Sequence, residues 1–291
     1  MKKVIVFILL FFFTITIGLG QKVNSQLKFE QGQILQVSLQ VNTTIVQQAM
    51  GQAIDFDLDG SAIHLFKVTN ATDDNSTLHH YVQQIAFHFD GMGQKRSFNS
   101  DNENDINGQF GKPMKKVLDK TYDMIIDTTG KVLMVQPEKI ENSEVDERMV
   151  LISSMLKDVL YIVQPPQKGS ASFFKIFPDS VVSKGSTWTD VSENESGKFS
   201  TSYTLTDITD STTVVDFTGI SVTASKAEMM GTESITTMNN KSTGRIILDK
   251  LTGIIREKKM TTESNGATEV MGNSLPVTSK TTSVITVSRK N

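Results

Sequence analysis

Four histidines, His64, His79, His80 and His88, crowd into one short stretch of a 291-residue chain. Imidazole is the common protein ligand for zinc and copper, so the cluster raises a metal reading. Strand parity argues against it. The alternation of the flanking residues sets His64 with the apolar positions and sets His80 and His88 opposite Tyr81, Ile85 and Phe87, while His79 neighbours a polar loop. Three imidazoles are not expected to converge, and neither a cysteine nor an HExxH helix is present to complete a site. Residues Asp55-Phe56-Asp57-Leu58-Asp59-Gly60 copy the first half of a calcium loop, but its twelfth position, where a bidentate Glu belongs, is Phe66. The same segment alternates as a strand that would end in an Asp59-Gly60 turn. Asp101, Glu103 and Asp105 form a second acidic stretch whose spacing fits no cage, and a solvated loop is expected. No metal and no cofactor is expected.

Nucleophilic catalysis has as little to work with. The chain has no cysteine and no G-x-S-x-G elbow, and none of its histidines sits in a recognisable serine motif. Carboxylate pairs are compatible with any acidic sequence, so a secreted hydrolase ranks last, with no catalytic residue assigned and no enzyme expected. The formal charge is −3, and basic clusters are short, such as Lys115 with Lys116 and Lys258 with Lys259. Nucleic acid is therefore set aside as a partner.

The elements that would position any site begin after an export signal. Lys2 and Lys3 precede an apolar run from Val4 to Ile17, and Gly18, Leu19 and Gly20 offer a cleavage point before Gln21. Residues 1–20 are thus expected to be a signal peptide, and 21–291 a single exported domain of net charge about −5, periplasmic or extracellular. No cysteine follows to be acylated, so a soluble protein rather than a lipoprotein is expected, folded without disulfides. No second apolar run is long enough for an integral membrane span.

Leu35, Val37, Leu39, Val41, Thr43 and Ile45 alternate with Gln36, Ser38, Gln40, Asn42 and Thr44, a period-two pattern spanning roughly 35 Å. Ile54, Phe56 and Leu58, then Ala62, His64, Phe66 and Val68, then Tyr81, Ile85, Phe87 and Phe89 continue it as a meander wet on one side. Ile106, Phe110, Met114, Val117 and Leu118 have helical spacing interrupted by Gly108, Gly111 and Pro113. A better helix runs from Ser143 to Val163, with an N-cap, an acidic first turn and a Pro165-Pro166 stop. Its stripe needs a sheet to cover it, and Met149, Ile152, Met155, Leu156 and Val159 are the expected ligand-facing residues.

Strands return after residue 172: Phe199, Thr201, Tyr203 and Leu205, then Val215, Phe217, Ile220 and Val222, and last Thr281, Ser283, Ile285 and Val287. This half is rich in Thr and Ser, which favour strands and tolerate water on an outer face. Ile125 to Val132 echoes Ile247 to Ile254, each a strand, an Asp-to-Gly turn and a strand, so the halves at about 27–163 and 173–290 read as possible pseudo-repeats.

Phe177-Pro178, then Lys184-Gly185-Ser186-Thr187-Trp188, then Asp249 to Gly253 resembles an uncharacterised exported family typical of Bacteroidota, a domain of unknown function, over most of the mature chain. The resemblance implies no activity. Trp188 itself reads as a core anchor. The fold class is α+β and strand-dominated: a long curved antiparallel sheet, unclosed but barrel-like, packing on one or two amphipathic helices, similar to lipoprotein-carrier half-barrels. The expected function is an envelope protein binding a hydrophobic small molecule or a lipidated protein partner, with a non-catalytic cell-surface interaction or structural protein as the alternative.

Overall fold

The computed structural model describes residues 22–23, 26–49, 52–139, 156–194, 196–229 and 232–290. The first half of the chain forms β2 (Ile34–Ala49), β3 (Gln52–Ala71), β4 (Asn75–Gly91), β5 (Gln94–Asn99), β6 (Thr121–Asp127) and β7 (Val132–Gln136). The second half forms β9 (Thr187–Asn194), β10 (Gly197–Ile208), β11 (Thr212–Met229), β12 (Thr232–Asp249), β13 (Ile255–Val270) and β14 (Asn273–Lys290). A short ribbon of β1 (Lys22–Val23) and β8 (Val182–Ser183) stands apart.

These strands make one 12-stranded antiparallel sheet in the order β7-β6-β4-β3-β2-β14-β13-β12-β11-β10-β9, with β5 beside β4. Two meanders are joined at the seam between β2 and β14, where Val41 lies opposite Ser283 and Leu39 opposite Ile285. The outermost strands β7 and β9 do not pair with each other, so the sheet is not closed into a barrel. The odd residues of β2 from Leu35 to Thr43 are buried, as the alternation of the sequence predicts.

Where parity failed, one extra residue is the cause. Ile63 pairs with Gln84 and His64 with Val82, which leaves Gln83 as a bulge on β4. Ahead of it the even residues Leu78, His80 and Val82 are buried, and beyond it the odd residues Ile85, Phe87 and Phe89 are. Tyr81 therefore faces outward, and His80 joins His64 inside. The expected Asp59-Gly60 turn is also absent, because β3 runs straight through both residues.

Among the described residues helices are few and short. The spacing from Ile106 to Leu118 resolves into α1 (Glu103–Ile106) and α2 (Gly111–Leu118), broken across Gly108, with the Asn102 side chain accepting from Asn104 N at 2.9 Å to cap the first. Of the segment from Ser143 to Val163 expected as a helix, residues 156–163 are described, and there α3 (Lys157–Leu160) tightens into a 3₁₀ turn over Tyr161–Val163. Met149, Ile152 and Met155 lie outside the described residues.

The two echoed turns sit at one end of the molecule. Asp127 Oδ1 accepts Thr129 N at 2.8 Å and Lys131 N at 3.0 Å, and Asp249 Oδ1 accepts Leu251 N at 3.0 Å and Thr252 N at 2.9 Å. Gly130 and Gly253 take φ of 86° and 70°, the left-handed region in which a side chain is strained. The segment before β2 ties them together, since Leu27 N donates to Thr128 O at 2.6 Å and Lys28 N to Thr252 O at 2.9 Å.

Candidate functional site

Apolar side chains on one face of the sheet, here the inner face, form three packed clusters. Over β2 and β3 the face is filled by α3. Leu156 and Val159 are fully buried there against Leu58 and the backbone of Gly60, at whose position a Cβ would lie 2.8 Å from Val159 Cγ2. Gly60 is thus required by helix docking. Leu156 and Val159 face the sheet and are fully buried.

Beside them His64 and His80, both fully buried, meet at 3.0 Å through Nδ1 and Nε2. His64 Nε2 lies 3.4 Å from Val159 O, an acceptor only, so His64 carries its proton on Nε2 and accepts at Nδ1 from His80 Nε2–H. That leaves His80 Nδ1 as a bare lone pair, and it has no partner. The His80 ring stacks on Tyr122 at 4.4 Å, whose hydroxyl donates to Ile162 O at 3.1 Å. Burial drives the His64 pKa down to about 4, against a smaller upward pull from the Val159 carbonyl. It drives His80 down to about 3, with smaller contributions from His64 and His79. Both are neutral at physiological pH. His79 turns outward to Asp123 at 2.9 Å, His88 is exposed, and among the described residues no group of three His, Asp or Glu is placed to hold a metal. Two of the calcium-like aspartates are engaged by the neighbouring strand on the outer face, with Thr44 Oγ1 donating to Asp57 at 2.7 Å and Asn42 Nδ2 donating to Asp59.

Over β9 to β14 the inner face changes character row by row. Strand register sets Leu39, Ile285, Lys258, Ile246, Val215 and Leu205 in one row across the sheet. The next holds Val41, Ser283, Met260, Gly244, Phe217, Tyr203 and Trp188. Then come Thr43, Thr281, Thr262, Ser242, Gly219 and Thr201, and after them Ile45, Ser279, Ser264, Asn240, Ser221 and Phe199. An apolar row thus gives way to an aromatic one and then to hydroxyls and an amide, with Asp190 at the β9 end of the first hydroxyl row. Composition alone suits the Thr and Ser of the second half to a wet outer face. In each strand alternate ones point inward.

The aromatic row is ordered by stacking. Trp188 and Tyr203 lie 5.4 Å apart at 12°, Tyr203 and Phe217 5.9 Å apart, and Trp188 Nε1 donates to Ile176 O at 3.1 Å, which makes it an anchor for the 173–178 segment. Phe217 lies over Gly244, whose Cβ would be 2.4 Å from its ring. Below, hydroxyls pair across strands: Thr43 with Thr281 at 3.0 Å, Ser242 with Thr262 at 2.8 Å, and Thr236 with Thr268 at 2.9 Å. Asn240 Nδ2 donates to Ser221 Oγ at 3.1 Å and Thr223 Oγ1 at 3.2 Å. Apart from the buried Thr43–Thr281 pair these groups are half-exposed, so bonding capacity is left over for a ligand.

Desolvated ionisable groups lie at α3, over β2 and β3, and on β13. Tyr161, just after α3, keeps 47% of its surface accessible, yet the surrounding protein pushes its phenol well above the ordinary value, with Asp158 adding to the shift. Burial likewise raises the Asp158 carboxyl, opposed in part by Lys157. On the sheet Lys258 is half-buried among Ile246 and Ile285, and its ammonium sits 5.2 Å from the centre of the Phe217 ring.

Residues 167–255 match the model of a family of unknown function, DUF6263. The match takes in the motif residues from Phe177 to Gly253 and covers less of the chain than the sequence resemblance implies. No curated protein matches in sequence. Among solved structures the chain is similar to lipovitellin, described for its lipid–protein interactions, at 10% identity and a TM-score of 0.47 over 90% of this chain, and it spans about a quarter (26%) of that one. It is also similar to an outer membrane channel from Pseudomonas putida F1 at 7% identity and a TM-score of 0.25, covering 90% of this chain and 98% of the channel. Among the described residues no helix is long and apolar enough to cross a membrane.

Proposed function

We propose that this protein is a non-enzymatic, exported binding protein that holds an amphipathic ligand, a small molecule or the acyl group of a lipidated partner, on the inner face of its open sheet. One observation carries the reading: the inner face is packed solid at β2 to β6, whereas over β10 to β13 it grades from apolar through aromatic to half-exposed hydroxyl rows. Half-exposed Thr, Ser and Asn on the inner face keep donors and acceptors that a ligand can use beyond their cross-strand pairs. A ligand with an apolar part and a hydroxyl- or amide-bearing part would use both zones, the apolar part on Phe217 and Met260 and the polar part along Ser242, Thr262 and Asn240.

The test uses the mature chain from residue 21. Neutral N-phenyl-1-naphthylamine is titrated with protein, and organic-solvent extracts of protein purified from its exporting host are examined by mass spectrometry. Saturable fluorescence enhancement, reduced by Met260→Asp with the fold intact by circular dichroism, is the expected result. Absence of both probe binding and extractable ligand would leave an interaction or structural protein as the better reading.

A further inference from the structure

Lys258 is an unusual charge to find at this place. Its row neighbours Ile246 and Ile285 are buried, and its own burial pushes the ammonium pKa below the ordinary lysine value. The Phe217 ring is its contact, and among the described residues it has neither an ion pair nor a hydrogen bond. A cation–π contact offsets only part of the cost of taking an ammonium out of water. Other lysines do better: Lys175, also on the inner side, meets Asp179, and Lys259, the next residue on β13, turns outward to Glu257 at 2.9 Å. The acid nearest in sequence is therefore already engaged on the opposite face, and Asp158 on α3 has Lys157 beside it.

We infer that Lys258 receives a terminal anionic group, a carboxylate or phosphate, at the end of the ligand opposite its hydroxyl-bearing part, with the apolar part between them over Phe217 and Met260. The inference rests on the amphiphile-binding reading and names the ligand's charge. Three features of the site match such a ligand. The ammonium is held at the boundary between the apolar and aromatic rows, where an anionic group joined to the apolar part would place its charge. Its long stem packs on apolar neighbours while the charged tip stays free to donate three hydrogen bonds. The partial desolvation that makes the cation costly alone strengthens its pairing with an incoming anion.

Laurate, lauryl alcohol, lauryl phosphate and inorganic phosphate are each titrated by calorimetry into the mature protein and into Lys258→Met and Lys258→Arg. Laurate or lauryl phosphate should bind the wild type about tenfold or more tighter than the alcohol, the scale of one charge-assisted hydrogen bond. Lys258→Met should abolish that preference while leaving alcohol binding in place, and Lys258→Arg should keep it. The Met variant should melt no lower than the wild type, since an unpaired buried charge is replaced by an apolar side chain of similar length. Equal binding of acid and alcohol by the wild type overturns the anionic-group assignment and leaves the amphiphile reading standing. Binding of inorganic phosphate as tightly as lauryl phosphate overturns it in favour of a free-anion site. Failure of all three lauryl compounds to bind removes the amphiphile reading itself.

Discussion

His64 and His80 share a proton between Nδ1 and Nε2 at 3.0 Å, inside the core and one bond away from the carbonyl of Val159 on α3. Sheet and helix are therefore joined through a neutral imidazole pair. The folded pKa values, about 4 and about 3, lie below the 6.5 of an unfolded histidine. The unfolded chain therefore takes up protons first on acidification, so the stability these groups contribute is complete above pH 6.5 and is lost as pH falls from there toward 4 and 3. Each histidine should contribute a slope approaching about 1.4 kcal/mol per pH unit within that window. Urea midpoints measured between pH 8 and pH 4 should be flat above 7 and fall below 6.5. In His80→Phe, which keeps ring packing on Tyr122, that slope should drop by about half. An unchanged slope would show that other groups govern acid unfolding.

Gly60 and Val159 make a second prediction. The Cβ of Gly60→Ala would lie 2.8 Å from Val159 Cγ2 and 3.1 Å from Leu156 Cδ2, so α3 must shift or the side chains must leave their wells. A cost of about 1 to 3 kcal/mol is expected for such overpacking. Leu156→Ala, which empties a fully buried position, should cost about 2 to 5 kcal/mol. The two sites touch, so the cost of Gly60→Ala should shrink in a Val159→Ala background, and a double-mutant cycle in urea reads this directly. Strict additivity would mean that α3 does not dock where Gly60 places it.

What the sequence makes legible follows from how local each determinant is. The strand from Leu35 is plain because no bulge interrupts it and its two faces differ in polarity. Gly60 misleads because Asp-Gly is a turn signal locally, while the reason for glycine here is a helix almost a hundred residues later in the chain. His80 misleads because a single extra residue, Gln83, inverts strand parity, and nothing in the polarity of Gln83 marks it as a bulge. The inner hydroxyl rows are the harder case. Thr and Ser occupy both faces of β11 to β13, so alternation that would reveal the inward set is missing, and Ile220 and Val222, grouped by apolarity with Phe217, are exposed on the other side at 67% and 50%. The signal that was available is the adjacency of Lys258 and Lys259: in a strand, two consecutive lysines cannot both face water when one face is core.

The paired turns at Asp127 and Asp249 predict coupling across the two halves of the sheet. Each carboxylate accepts backbone N–H groups of its own turn, and Asp249 also holds Arg256 at 2.6 Å. Asp127→Ala and Asp249→Ala should each cost about 1 to 2 kcal/mol, the price of leaving turn donors unpaired. Leu27 presses on both Gly130 and Gly253, and its neighbouring backbone bonds both turns, so loosening one turn weakens the clamp on the other. The double variant should therefore deviate from the sum of the single effects, which chemical denaturation of all four proteins would reveal.

Gly219 and Gly244 occupy adjacent rows of the inner face and should answer substitution in opposite ways. At Gly244 a Cβ would meet Lys259 O at 2.3 Å and Phe217 Cζ at 2.4 Å, so Gly244→Ala displaces the ring that Lys258 covers and should destabilise the fold by about 1 to 3 kcal/mol. At Gly219 the nearest atoms are Thr201 Oγ1 at 3.4 Å and Ser242 Cβ at 3.6 Å, ordinary contact, and its φ is not in the left-handed region. Valine suits a strand better than glycine there, so Gly219→Val should leave the melting temperature unchanged or raise it. The same side chain would stand in the hydroxyl row between Thr201 and Ser242, where the polar part of a bound amphiphile is expected to run. Gly219→Val should therefore be stable and weaken ligand binding several-fold, separating function from folding at one position. Full binding by a stable Gly219→Val protein would place the ligand elsewhere than on these rows.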